Sequence, residues 1–214
     1  MPRGLAAPSA GDLAFLFLLS AIWGSSFLFI KVAVVHIPPV SLTALRLVVA
    51  GIILCAYGFF RGQRMPGQAR AWRPYLVIAL FGNAFPFTLV GIGELEIDSG
   101  QAAILLGAMP IFTLLLAHYF THDEPITPRR AAGIMVGLGG ILVLVIPTTT
   151  PGAQFTGGIL FQLAVVMAAL SYAIATVYGR RLAHVSPLLI TTASTLAAAV
   201  IMVPASLILD GPWL

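Results

Sequence analysis

Seven long apolar runs separated by short polar connections set the rhythm of the chain, at roughly 13–35, 40–60, 74–93, 100–119, 129–147, 157–179 and 187–209. Each is close to the ~20 residues that, at ~1.5 Å apiece, carry an α-helix across a hydrocarbon core of roughly 30 Å. The connections hold turn formers: Pro38-Pro39, Met65-Pro66-Gly67, Glu124-Pro125, the 148–152 segment and Ser186-Pro187,. This pattern predicts an all-α fold, a polytopic membrane helix bundle with seven spans. The fourth run is the most telling. Glu94, Glu96 and Asp98 precede it, and Asp98 or Ser99 stands where an oxygen acceptor can cap the helix start,. Pro110 in its middle removes a backbone hydrogen bond and invites a kink,. At membrane depth such a kink is tolerated where neighbouring helices or a cavity satisfy the freed carbonyl.

Composition agrees with the pattern. Hydrophobic residues make up 59% of the chain and charged ones 8%, against ~25% charged in an ordinary soluble domain,. Mean hydropathy is +1.02, which leaves no room for a soluble domain. The net charge of +4 comes from short arginine clusters between apolar runs, so it reads as membrane topology and not as nucleic-acid binding,. A single cysteine, Cys55, excludes an intrachain disulfide,. Arg3 followed by an apolar run from Leu13 has the look of a secretory signal, but the run continues to about Val35 without a small-residue cleavage site. It is therefore expected to be an uncleaved first helix.

Charge also orients the spans. Arg3, Arg61, Arg64, Arg70, Arg73, Arg129, Arg130, Arg180 and Arg181 fall at the N-terminus and in the second, fourth and sixth connections. Arginine-rich segments stay cytoplasmic, so the N-terminus is expected inside the cell membrane, with Glu94, Glu96, Asp98 and Asp210 outside.

An offset of 149 positions aligns the chain with itself: Trp23 on Tyr172, Lys31 on Arg180, Pro38 on Pro187, Thr43 on Thr192 and Leu47 on Leu196. Five spans separate the copies, so the second enters the membrane inverted. Inverted repeats of this kind recur in secondary transporters, with the site at their interface near the midplane. Expected are a full five-helix repeat at 12–147 and the first two helices of a second at 157–209.

The stretches AIWGSSFLFIKVAV, PPVSLTALRLVVAG, DSGQAAILLGAMPIFTLLLAHYF and DEPITPRRAAGIMVGLGGILVLV carry a family resemblance. In order and spacing they resemble the EamA-type carriers of the drug/metabolite transporter superfamily, over about 12–209. The resemblance implies ten helices in two inverted five-helix repeats, no cofactor, and export of small metabolites, amino acids or drug-like amphiphiles by alternating access. Seven of the ten are expected here, the chain then being a fragment or a truncated form. Lipid and a small-molecule substrate are the partners implied, and a homodimer stays open.

Candidate substrate contacts are Trp23, Ser25, Ser26, Arg46, Asn83, Pro86, Pro110 and Tyr172, with Glu94 as a coupling group. Intramembrane charge is expensive and usually faces the bundle interior, which turns Arg46 toward a cavity and a substrate carboxylate or Glu94. Lys31, near the end of its span, reads more simply as a snorkelling cation. Trp is commoner at interfaces, so Trp23 beside Gly24, Ser25 and Ser26 at mid-span suggests a cavity wall, with close helix packing the competing account. Asn83 with Pro86 repeats that polar-plus-kink pairing. Gly133, Gly137 and Gly140 read as a packing stripe. His118 and His122 have metal-ligand spacing but lack the H-E-x-x-H pattern of a zinc protease, and interfacial contact is the better account. No catalytic set or phosphate loop is visible, so no enzyme is expected. A seven-helix receptor fits the raw helix count but not the arginine asymmetry, and residues 186–210 hold no retinal-type lysine. The remaining alternative is a truncated membrane protein that does not transport.

Overall fold

A computed structural model of the chain describes residues 9–121, 127–145 and 158–211. Seven helices account for most of them: α1 (Ala10–Val34), α2 (Pro39–Phe60), α3 (Ala69–Gly93), α4 (Ser99–Thr121), α5 (Pro128–Val145), α6 (Ile159–Gly179) and α7 (Pro187–Leu209). No strand occurs among the described residues. Among the described residues, six helices are long and apolar enough to cross a membrane; the described part of α5, of 18 residues and opening on Pro128, Arg129 and Arg130, is not one of them. Large apolar side chains such as Phe17, Phe29, Ile52, Phe59, Leu160 and Ile208 stand exposed, as they would facing lipid,.

Local chemistry fixes the ends. Ser9 and Asp12 form a reciprocal capping box that starts α1 three residues earlier than the apolar run suggests,. Pro39 and Pro187 occupy the first positions of α2 and α7, where a missing N–H costs nothing,. Gly62, at φ 65°, supplies the left-handed residue just past α2,.

Two spans are broken, each next to a proline. In α3, a π-helical turn (Leu80–Ala84) interrupts the α-helix one turn ahead of Pro86, and the Phe85 amide bonds Leu80 O, five residues back,. The Phe81 carbonyl, which Phe85 would otherwise take, accepts from Ser171 Oγ of α6 at 2.9 Å. In α4 the α-helix stops at Leu106 and resumes at Met109, with Pro110 second in the new segment. The disturbance expected from Pro110 takes the form of a two-residue break in the α-helix at Gly107–Ala108. Asp98 takes the N-cap position of α4 as expected, but its side chain makes no capping hydrogen bond.

Neighbouring helices alternate in direction. The end of α7 meets the start of α2, and Gly51 at mid-α2 faces Leu196 at mid-α7. Gly93 at the end of α3 faces Phe161 and Val165 at the start of α6, while Tyr75 near the start of α3 clusters with Leu182 just after α6. Lys31, late in α1, reaches the end of α3. α1 and α3 therefore run one way and α6 the other, and α7 opposes α2. Ala44 and Leu47 of α2 pack on Ala197, Ala198 and Met202 of α7, small residues that let the backbones approach,. Only Ile30 and Val34 of α1 are buried, so α1 lies at the edge of the bundle.

Candidate substrate cavity

A cavity of about 600 Å³ opens between α1, α2, α3, α4, α6 and α7, within the roughly 300–1,000 Å³ usual for small-molecule sites,. Trp23, Ser26, Arg46, Asn83, Phe87 and Tyr172 supply its aromatic and polar lining, over a wall of aliphatic side chains. Arg46 sits two turns into α2, half-buried, with its guanidinium 4.6 Å above the Phe87 ring. Phe87 in turn lies 6.4 Å from Tyr172, tilted at 59°. The Phe87 ring is thus shared between a cation and a second aromatic, which holds Arg46 toward the lumen and away from lipid.

The broken α3 places these groups. Its π turn carries Asn83 and shifts the helical phase of the residues after it, so that Asn83 and Phe87 both reach the cavity while Pro86 is fully buried. Thr88 Oγ1 donates to Thr43 Oγ1 at 3.3 Å, tying α3 to α2 three residues from Arg46.

Five of the nine predicted site residues therefore share one cavity: Trp23, Ser26, Arg46, Asn83 and Tyr172. The other four do not line it. Ser25 is exposed on another face of α1, its hydroxyl donating to Ile22 O at 3.0 Å. Pro86 contributes through the backbone it perturbs. Pro110 is exposed, its cost already absorbed by the break before it. Glu94 is fully buried one turn beyond Val90, which does line the cavity. Phe87 was missed, although aromatic residues flanking Pro86 on both sides were a visible signal.

Glu94 lies in the α3–α4 connection, outside the spans. Its carboxyl is pushed up to about 8 by burial, which outweighs the opposing pull of Lys31 and Arg46,. Lys31 does not pair with that carboxylate. Its Nζ donates to the backbone carbonyls of Glu94 (2.7 Å) and Ile97 (3.0 Å), closing the C-terminal end of α3 with a cation,. At the same end of the bundle, Asp210 Oδ2 accepts from the Ser41 amide (2.7 Å) and hydroxyl (2.6 Å). It thereby caps α2, whose own N-cap residue, Pro38, has no side-chain acceptor.

Gly137 packs against Ile111, while added methyls on Gly133 or Gly140 would meet nothing, so the glycine stripe of α5 is in close contact at one position. His118 meets Tyr119 edge-on, and His122 lies outside the described residues. No cluster of three metal-ligating side chains occurs among the described residues.

The fold and its apolar surface define a multi-pass membrane protein. Residues 11–146 match the EamA-like transporter family, and the chain belongs to it. Among its relatives, the uncharacterized inner membrane transporter YedA of Escherichia coli K12 is 31% identical over 199 residues, covering 90% of this chain and 61% of YedA. The uncharacterized transporter YoaV of Bacillus subtilis is 26% identical, over 76% of this chain and 54% of its own length. An uncharacterized transporter of Archaeoglobus fulgidus is 25% identical, over 87% and 64% respectively. The chain thus spans about three fifths of the length of these relatives. No solved structure matches it.

Proposed function

We propose that the chain forms the substrate-holding part of a secondary carrier that exports small organic metabolites, amino acids or drug-like compounds by alternating access. The observation that carries this reading is the cavity, in which a guanidinium is stacked on an aromatic ring and turned toward the lumen. An arginine held there, with Asn83, Ser26 and Tyr172 around it, suits a carboxylate-bearing substrate with an apolar or aromatic body. The reversed direction of α6 relative to α1, and of α7 relative to α2, supports a five-helix repeat at 12–147 followed by an inverted copy beginning at 157–209. On this reading α5 is a seventh span, the arginine-rich connections lie in the cytoplasm, Glu94 is the coupling group, and the protein is a carrier and not an enzyme.

The test is transport in proteoliposomes loaded with a mixture of radiolabelled carboxylates and amino acids. Arg46→Ala is expected to cut flux of the anionic or zwitterionic substrates by about 10–100-fold, the worth of one charge-assisted contact of ~1.5–3 kcal/mol, with protein yield nearly unchanged. Equal flux in wild type and variant would overturn the assignment of Arg46 and of the cavity around it.

A further inference from the structure

Beside the cavity, at the end of the bundle that holds Ser41 and Asp210, lies a set of buried polar atoms without partners. They are both carboxylate oxygens of Glu94, Nε2 of Gln101 and Oε1 of Gln162. Glu94 is 0% exposed, Gln162 4% and Gln101 8%. Along the chain, Glu94 stands three residues before Ile97, Gln101 directly before Ala102 and Gln162 three residues before Val165, and Ile97, Ala102, Leu105 and Val165 form one apolar cluster. Two cations act on Glu94: Lys31 of α1, its Nζ engaged by two carbonyls, and Arg46 of α2, which also faces Tyr172 of α6; the connection itself carries the exposed Glu96 and Asp98.

A carboxylate buried without a hydrogen-bond donor favours its neutral form. A neutral carboxyl carries a donor of its own beside its acceptors, whereas an ionised one offers acceptors alone, so a buried Glu94 with no donor against it is better accommodated with its proton,. We propose that Glu94 is a proton-binding site linked to an organic carboxylate held at Arg46, so that the anion and a proton bind together. This rests on the reading of Arg46 as the anion-holding group of the cavity.

The link is a shared charge. Arg46 lines the cavity, and its positive charge also acts on Glu94. Ionised Glu94 draws on the field that an incoming carboxylate needs. A carboxylate seated at Arg46 cancels that field, and Glu94 takes up a proton on one oxygen. With Glu94 neutral, the whole of the Arg46 charge is left to the anion. The effects are reciprocal, as linkage requires. One negative and one positive charge enter together, so the buried region gains no net charge, which its low dielectric favours. Anion and proton then cross as a pair, outward where the anion is concentrated inside.

The experiment uses the full chain in lipid nanodiscs with phenylacetate as the probe. The carboxylic C=O stretch of protonated Glu94, identified by its loss in Glu94→Gln, is followed by infrared titration with and without phenylacetate. Added phenylacetate should move that titration to higher pH, and a dye in weak buffer should register proton uptake on binding. Phenylacetate affinity should fall by about fivefold or more as the pH is raised from about 6 to about 9, the lower end of ordinary site–site coupling, and should stay flat in Glu94→Gln. Binding without proton uptake, with one pH profile for wild type and Glu94→Gln, overturns the linkage and leaves the anion cavity standing. Absent binding, or binding untouched by both Arg46→Lys and Arg46→Ala, removes the anion reading and the linkage with it.

Discussion

Removing the Asp210 carboxylate should cost this protein more than an average interhelical hydrogen bond. Polar contacts between membrane helices average ~0.6 kcal/mol and reach ~1.7. Asp210 Oδ2, however, takes two short bonds, at 2.7 and 2.6 Å, from the amide and hydroxyl of one residue, Ser41. Bonds to a charged acceptor contribute ~1.5–3 kcal/mol, and losing an N-terminal cap costs ~0.5–2. Ser41 is 2% exposed, so in Asp210→Ala its amide and hydroxyl lose their acceptor with little water to replace it. The two estimates overlap near about 2 kcal/mol of destabilisation, the value expected for this variant. Asp210→Asn keeps an acceptor but loses the charge, and about half that cost should remain. The assay is equilibrium unfolding in mixed micelles of dodecyl sulfate, read by helical signal and by modification of the lone thiol, Cys55. Ser41→Ala and the double variant complete a thermodynamic cycle, which should be clearly non-additive because both changes remove one contact. Strict additivity, or an Asp210→Ala variant within about 0.5 kcal/mol of wild type, would refute the cap as a clasp between α7 and α2.

Gly93→Ala should destabilise by about 1–3 kcal/mol, because the new methyl collides with the side chain of buried Val165 and sits 3.0 Å from the Phe161 carbonyl,. Gly133→Ala, with nothing within 4 Å of the added methyl, should be neutral or mildly stabilising in the same unfolding assay,. Glu94 binds its proton more tightly folded, at about 8, than at its ordinary 4.5, so the folded state holds the extra proton between those values. Stability should therefore fall as pH rises through that window, and Glu94→Gln should flatten the fall; parallel pH profiles would contradict it. In intact cells, single cysteines placed at 61–73 on a Cys55→Ser background should resist an impermeant reagent, and one at Glu96 should react; the reverse pattern would invert the proposed topology.

Much of this protein was legible in its pattern. Apolar runs of about twenty residues force helices, because in hydrocarbon every backbone polar group must be satisfied within its own segment. Prolines fixed helix starts at Pro39 and Pro187 and foretold the breaks near Pro86 and Pro110. The cost of charge at membrane depth turned Arg46 toward a cavity, while Trp23 and Asn83 were as readable as packing residues until the helices came together,. What the pattern could not supply was phase. A π turn shifts the helical register, and that shift buried Pro86 and brought Asn83 and Phe87 to the cavity, a change of a single residue that hydropathy does not record. Partners distant in the chain were equally hidden. Asp210 reads as one of several acidic residues between spans until folding sets it on Ser41, and Lys31 reads as a snorkelling cation until its ammonium meets the end of α3. Hydrophobic periodicity decides which faces are apolar, because that free energy depends on area and not on direction. Which polar atoms meet depends on hydrogen-bond geometry to within a few tenths of an ångström, and only the packed helices decide that.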